Sequence, residues 1–254
     1  NYKYAEDFDA TQLGINDYAQ DQNGEYLEQE FRLVSQTEGP LSWYTGVSVY
    51  HEEINVLFSQ HANEDVMCVF YSADNQTCAD AYPGFTYDPQ GLLEQNAVKG
   101  NYKGWAAYAE TTYSITDQID ISVGLRYTFD RKRFKLYVLP VSSELGPYFA
   151  MGFTTAGYLP DAKDWSEVTP RVLVEYHPTD DWMLFTSATS GYKSGGFGSF
   201  NINPALLQVD VTPAEANPDS FDPETVWSYE VGAKGDLLDG AMRVGLNAYY
   251  YKYE

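Results

Sequence analysis

Residues 115–134 read ITDQIDISVGLRYTFDRKRF, and from Ile119 onward the chain changes character at every second position. Ile119, Ile121, Val123, Leu125, Tyr127 and Phe129 fall on one side; Asp120, Ser122, Gly124, Arg126, Thr128 and Asp130 fall on the other. Successive side chains of a β-strand point to opposite faces, so the spacing predicts a two-faced strand. What the apolar face meets decides the fold. Against a second sheet it makes a soluble sandwich; against lipid it makes the wall of a membrane barrel.

The same alternation predicts strands at 26–37, 41–55, 99–115, 119–134, 166–177, 182–195, 223–235 and 241–254, with residues 1–8 as the tail of another. Soluble strands usually run ~5–6 residues, and several of these exceed a dozen. No helical periodicity competes with them. The connections are short at TEGP (37–40), TDQ (116–118), PTDD (178–181) and GDLLDG (235–240), and long, irregular and polar at 56–98, 135–165 and 196–222. Short and long alternate strictly. In an antiparallel meander this gathers the tight turns at one end and the large loops at the other, as in outer-membrane barrels. A sandwich or a propeller has no physical reason to sort its loops in this way.

Charge placement gives a second test, because a Lys or Arg facing mid-bilayer costs roughly 2–4 kcal/mol. In 99–115 the row Trp105, Ala107, Ala109, Thr111, Tyr113, Ile115 carries no charge, while Tyr108 and Glu110 lie opposite. Trp227, Tyr229, Val231 and Ala233 oppose Glu224, Glu230 and Lys234; Met242, Val244, Leu246, Ala248 and Tyr250 oppose Arg243 and Asn247. The facing of 182–195 is not fixed by its sequence. Trp43 and Trp182 follow short turns almost at once, where aromatic girdles of barrels sit. The expected class is therefore all-β: an antiparallel meander of long strands forming a partial transmembrane β-barrel.

Composition narrows the partners. A formal charge of −22 excludes nucleic acid, whose phosphates need clustered Lys and Arg. It fits either cationic ligands or a solvated exterior. No apolar run reaches the ~18 residues of a membrane helix, which does not bear on barrel strands. The first residues, NYKYAEDFDA, lack the basic and apolar regions of a signal peptide. Cys68 and Cys78 lie close together in a polar segment and read as a local disulfide made in an oxidising compartment, against two free thiols.

Three stretches resemble the barrel of TonB-dependent outer-membrane receptors. EQEFRLVSQTEGPLSWYTGVSVYHEE (28–53) has a Glu-x-Arg-Leu strand, a tight turn and a Trp-x-x-Gly strand. VTPRVLVEYHPTDDWMLFTSATSGYKSGGF (168–197) has a Pro-Arg strand and a Gly-Tyr-Lys-Ser-Gly-Gly-Phe ending. FDPETVWSYEVGAKGDLLDGAMRVGLNAYYYKYE (221–254) is similar to the Pro-Glu…Tyr-Glu-x-Gly-x-Lys strand that follows it in the family. The resemblance implies an active importer of scarce bulky nutrients, most of all iron-siderophore complexes. Its barrel of about 22 strands encloses an N-terminal plug and is driven by the TonB energy-coupling complex. The chain departs from that pattern: signal peptide, energy-coupling box, plug and terminal aromatic residue are not recognisable. It is expected to be the central part of a barrel, about 8–9 of the strands, with residues 1–254 one partial barrel domain of a larger receptor. The TonB complex would be reached through the N-terminal region. The other expected partners are the protein's own plug, outer-membrane lipid and lipopolysaccharide, and a ferric siderophore or similar ligand.

No catalytic arrangement stands out, and no cofactor is expected. Carboxylates are plentiful, yet no motif selects a pair at glycosidase distance. His51, His61 and His177 are scattered and lack zinc-site spacing with either cysteine. Asn75-Gln76-Thr77 matches a glycosylation sequon, which carries little meaning in a bacterial outer membrane. SGGFGS (194–199) is not followed by a helix and reads as a flexible strand exit rather than a phosphate cradle. Segment 56–98 combines Glu64, Asp65, Asp74, Asp80, Asp88 and Glu94 with Phe70, Tyr71, Tyr82, Phe85 and Tyr87. Rings beside carboxylates suit sugars, catechol-like chelators or Ca²⁺, and equally an acidic rim beside divalent-bridged lipopolysaccharide. Glu110, Arg126, Arg171, Glu175, Glu230 and Lys234 are the candidates to face the lumen and meet the plug. A secreted acidic β-sandwich binding carbohydrate is the competing reading; a carbohydrate-active enzyme and an ordinary porin are weaker ones.

Overall fold

The computed structural model describes residues 2–7, 15–71, 74–88, 91–145, 154–202 and 218–254. Nine strands form one antiparallel sheet: β1 (Tyr2–Asp7), β2 (Asn16–Val34), β3 (Leu41–Ala62), β4 (Gly91–Thr116), β5 (Ile119–Val138), β6 (Leu159–Thr179), β7 (Trp182–Lys193), β10 (Glu224–Leu237) and β11 (Met242–Tyr253). Between β7 and β10 lies a separate hairpin, β8 (Gly196–Ile202) with β9 (Pro218–Phe221). Two short helices, α1 (Glu64–Tyr71) and α2 (Cys78–Ala81), follow β3. Among the described residues no second sheet covers the apolar face, so the sandwich does not apply.

Directly paired residues of neighbouring strands share a face. One face carries Val47 and Val49 of β3, Trp105 to Ile115 (odd positions) of β4, Ile119 to Phe129 (odd) of β5, and Val168, Val172 and Val174 of β6. These side chains stand open; Val123 and Leu125 are each 54% exposed. On the opposite face side chains reach over the intervening strand, Arg171 of β6 to Glu110 of β4 and Tyr50 of β3 to Asp130 of β5. Convergence of that kind marks the concave side. The convex apolar band runs ten residue steps on both β4 (Ile115 to Trp105) and β5 (Ile119 to Phe129). At about 3.4 Å per residue and a tilt near 40°, that is about 26 Å of height, close to the ~25 Å apolar band of outer-membrane barrels.

Beyond the band the strands continue and their polarity inverts. On β5 the convex row goes on as Arg131, Arg133, Lys135, while the concave row becomes Phe134, Leu136, Val138, exposed by only 2%, 0% and 3%. On β3 and β4 the same exchange puts His51, Glu53, Asn55, Lys99, Asn101 and Lys103 outside and Val56, Phe58 and Val98 inside. Water has replaced lipid as the outer solvent, and an ordinary apolar core forms within. The strands are consequently longer than their alternation suggested: β3 reaches Ala62, β4 starts at Gly91, β5 ends at Val138 and β6 starts at Leu159.

The tight connections all lie at the other end. In the last of them Leu238 and Asp239 take φ of 57° and 54°, the left-handed geometry that matches the twist of a hairpin. The segment 182–195 acquires its facing here. Trp182, Leu184, Thr186 and Ala188 lie on the convex side, opposite Gly235, Ala233, Val231 and Tyr229. Met183 and Phe185 lie on the concave side although both are apolar, with the Lys234 Nζ 5.4 Å from the centre of the Phe185 ring.

The long connections are structured where they are described, which corrects their reading as irregular. SGGFGS is not a flexible exit; Gly196 onward is β8, whose Phe197 stacks on Phe134 at 5.1 Å and meets Trp165 edge-on at 5.9 Å. Segments 56–98 and 196–222 include residues outside the described set, as does 135–165. In the first of them α1 and α2 are joined by a Cys68–Cys78 disulfide with Cα atoms 5.1 Å apart. The bridge packs with Ile15, Ala62, Met67, Leu93 and Leu145 in a small core of its own.

Two outcomes are expected. Leu125→Arg, at the middle of the convex band, should cost about 2–4 kcal/mol in urea unfolding of the full-length barrel in lipid vesicles. Lys135→Thr on the same row beyond the band should stay within about 0.5 kcal/mol. Reducing Cys68–Cys78 should open residues 64–88 to limited proteolysis while the sheet's unfolding midpoint holds. A midpoint that falls with reduction would show that the bridge supports the barrel itself.

Candidate functional site

The concave face is built from rows that run across three strands. Glu110 of β4, Gly124 of β5 and Arg171 of β6 are successive partners in register. With only hydrogen at position 124, the flanking side chains meet above it: Arg171 Nη1 donates to both Glu110 carboxylate oxygens, at 3.0 and 2.8 Å. A Cβ on Gly124 would sit 2.8 Å from Glu110 Oε2. The row Tyr50, Gly104, Asp130 repeats the device, and the Tyr50 hydroxyl donates to Asp130 Oδ1 at 2.6 Å over the glycine. A Cβ there would meet Asp130 Oδ1 at 2.7 Å. A strand glycine commonly marks such a close approach.

Around the first row gathers a polar cluster at the level of the apolar band. Tyr108 donates to Glu30, Arg126 Nη2 lies 3.4 Å from Ser48 Oγ, and the Arg32 guanidinium stands 4.2 Å over the Tyr44 ring. These side chains line a shallow open cleft of about 350 Å³ together with Thr169 and Thr189. Three arginines face two glutamates here, an excess of positive charge inside a chain of net charge −22. Closer to the loops the character changes. Lys132 Nζ donates to the Gly195 carbonyl at 2.7 Å and lies 5.7 Å from the Trp165 ring, while Lys163 reaches Ser220 and Asp222 on the far side of the β8–β9 hairpin. Trp165 and Phe221 leave no room for a side chain at Gly195. The hairpin thus roofs the concave face of β5 and β6 with aromatic groups.

All six lumen candidates lie on this face. Glu110, Arg126 and Arg171 are brought together in the cluster. Glu175 stands opposite Asp120 and Phe185. Glu230 accepts from Asn247 at 2.8 Å, and Lys234 covers Phe185. Glu30, Arg32, Tyr44 and Tyr50 belong with them and were missed by sequence reasoning. Their signal was parity within 28–53, together with inward glycines that let partners two strands apart touch.

The acidic loop behaves differently from a ligand cage. Glu64 is fully buried and accepts from the Asp88 amide at 2.8 Å; Asp80 serves the cap of α2 through Thr77. Phe70 and Tyr82 stand out into solvent, and nothing is described of the Tyr71 side chain. Among the described residues no three His, Cys, Asp or Glu groups converge on one metal position. The geometry can bind, pair and exclude water, and it contains no arranged nucleophile and base.

Comparison with known proteins agrees with this architecture. The family model described as TonB dependent receptor-like, beta-barrel matches residues 1–254. The pesticin receptor of Yersinia pestis is 28% identical over 138 residues, covering 54% of this chain and 17% of that protein. The ferric-pyoverdine 358 receptor of Pseudomonas putida is 23% identical over 230 residues, 89% of this chain and 22% of that protein. Among solved structures, the ferric yersiniabactin uptake receptor of Y. pestis superposes with a TM-score of 0.67 at 15% identity, over 95% of this chain and 30% of that one. The ferric-catecholate import receptor of Escherichia coli K12 gives 0.58 at 16% identity, over 94% and 32%. These structural likenesses speak for the fold, and the chain spans less than a third of the length of each of these relatives. Residues 1–254 belong to the TonB-dependent receptor-like β-barrel family, whose barrels stand in the bacterial outer membrane.

Proposed function

We propose that this chain forms part of the wall of an energy-coupled importer of iron-siderophore complexes. The family match along all 254 residues is the observation that carries the reading. The names of the relatives, receptors for ferric yersiniabactin, ferric pyoverdine and ferric catecholates, favour iron chelates over vitamins or glycans as cargo. The concave polar cluster fits the second part of the reading, that the wall packs on a plug domain. Arg126, Arg171 and Arg32 offer directional donors to a plug surface, and Glu110 and Glu30 keep that layer from being purely repulsive. Work for release would come from the TonB complex acting on the plug rather than on these strands.

The import reading is tested with the full-length receptor in a host lacking its own siderophore receptors. Iron-labelled hydroxamate, catecholate and mixed siderophores are offered under iron limitation. Accumulation of at least one chelate, abolished by an uncoupler, is expected. Passage that survives collapse of the proton-motive force would mark a passive pore instead. For the plug contact, Arg126→Cys should resist a water-soluble maleimide in the full-length receptor and react when the plug is deleted. Equal labelling of both would remove the contact.

A further inference from the structure

The convex face carries a concentration of cations that import does not use. Lys99 and Lys103 on β4 and Arg131, Arg133 and Lys135 on β5 are five of the chain's 15 Lys and Arg, gathered on two adjacent strands. Register puts Lys103 directly opposite Arg131, and Lys99 directly opposite Lys135, with Arg133 between them facing Asn101. Like charges opposite one another on a sheet repel. One of the five is neutralised within the protein, since Arg131 makes a bidentate pair with Asp164 at 2.8 and 2.6 Å. Lys99 lies 4.7 Å over the Tyr158 ring, and among the described residues no carboxylate pairs with Lys99, Lys103, Arg133 or Lys135. Of the acids on this face, Glu53 is engaged by Asn101 at 2.9 Å and stands at the β3 margin of the patch, with Glu25 beyond it. His51 faces Lys103 from the same margin.

Depth supplies the second observation. The patch begins two residues past the Trp105–Tyr127–Phe129 aromatic group, which closes the apolar band. It ends at Lys99 and Lys135, six residues past. That interval is about 7–20 Å of strand, or about 5–16 Å of height at a 40° tilt. Headgroups occupy the first part of that height. A headgroup reaching the rest must be tall and carry several phosphates. From this geometry we infer that the outer wall of β4 and β5 binds the phosphates of a multiply phosphorylated glycolipid of the outer leaflet. Arg133 and the two facing Lys99–Lys135 ammonium groups hold one phosphate, and Lys103 lies nearest the membrane for another. The anion relieves the repulsion that the bare sheet carries.

The full-length receptor is placed in phosphatidylcholine nanodiscs containing a small fraction of bis-phosphorylated lipid A or of lipid A stripped of its phosphates. Bound lipid is read by native mass spectrometry. The phosphorylated form should be retained, and the Lys99→Gln, Arg133→Gln, Lys135→Gln triple variant should bind it on the order of 100-fold more weakly, about fivefold per cation. Siderophore uptake should be unchanged in that variant. Equal retention by the triple variant, or equal retention of the stripped lipid, overturns the proposal whatever the receptor imports. Displacement by millimolar inorganic phosphate overturns it in favour of a free-ion site. If the triple variant does not fold, Arg133→Gln alone decides. A loss near fivefold that Arg133→Lys restores supports the site, and no loss overturns it.

Discussion

Everything in this molecule depends on the solvent at each height along the strands. In hydrocarbon an unpaired backbone amide or carbonyl costs several kcal/mol, so a strand can cross only as a member of a continuous ladder. Nine strands in simple antiparallel order satisfy that requirement for every interior strand. They leave the outer sides of β1 and β11 open, and in a membrane such edges are tolerated only when further strands pair with them. Within the ladder the side chains then follow the solvent they meet. Apolar residues face out for ten steps, polar ones face in, and past the Trp105 level the two rows exchange roles.

That exchange explains how far the fold could be read from the sequence. The phase of the alternation never breaks on β5, but its meaning reverses near Asp130. Arg131, Arg133 and Lys135 then look like the start of a polar loop, when they are the wet outer face of the same strand. For the same reason Ile54, Val56 and Phe58 were lost to the neighbouring loop at 56–98, although they continue the inward row of β3. The facing of β7 was hidden by a different cause. Met183 and Phe185 are apolar on the polar side because the long chain of Lys234 lies across Phe185, which gives an aromatic ring a tolerable place in the lumen wall. Helices α1 and α2 are too short to show a period, and α2 is fixed by its cap and the disulfide rather than by a repeating pattern.

The concave cluster was legible in outline and illegible in detail. Parity alone put Glu110, Arg126 and Arg171 on one face. It could not say that Glu110 and Arg171 touch, because they belong to strands two apart and their meeting depends on Gly124 between them. Read as composition, Gly124 and Gly104 are merely weak strand formers. Read in register, each is the gap through which a long-range polar contact passes, a constraint that exists only once three strands are aligned.

The two inversions together set the order of environments on the concave side. At the height of the lipid the inner face is wet and charged, with the Glu110–Arg171 pair at its centre. Above it, where the outer face is wet, the inner face closes into an apolar core around Phe134 and Leu136, and Phe197 of the β8–β9 hairpin is drawn onto that core. The hairpin is held there for the same reason that β5 changes character: an apolar inner surface outside the membrane has no lipid to cover it and must be covered by protein. Lys132 and Lys163, reaching to the Gly195 carbonyl and to Asp222, then fix the hairpin's direction without adding apolar area. The charged layer therefore lies beneath an aromatic roof made by its own strands, and what separates it from the outside is a consequence of where the membrane ends.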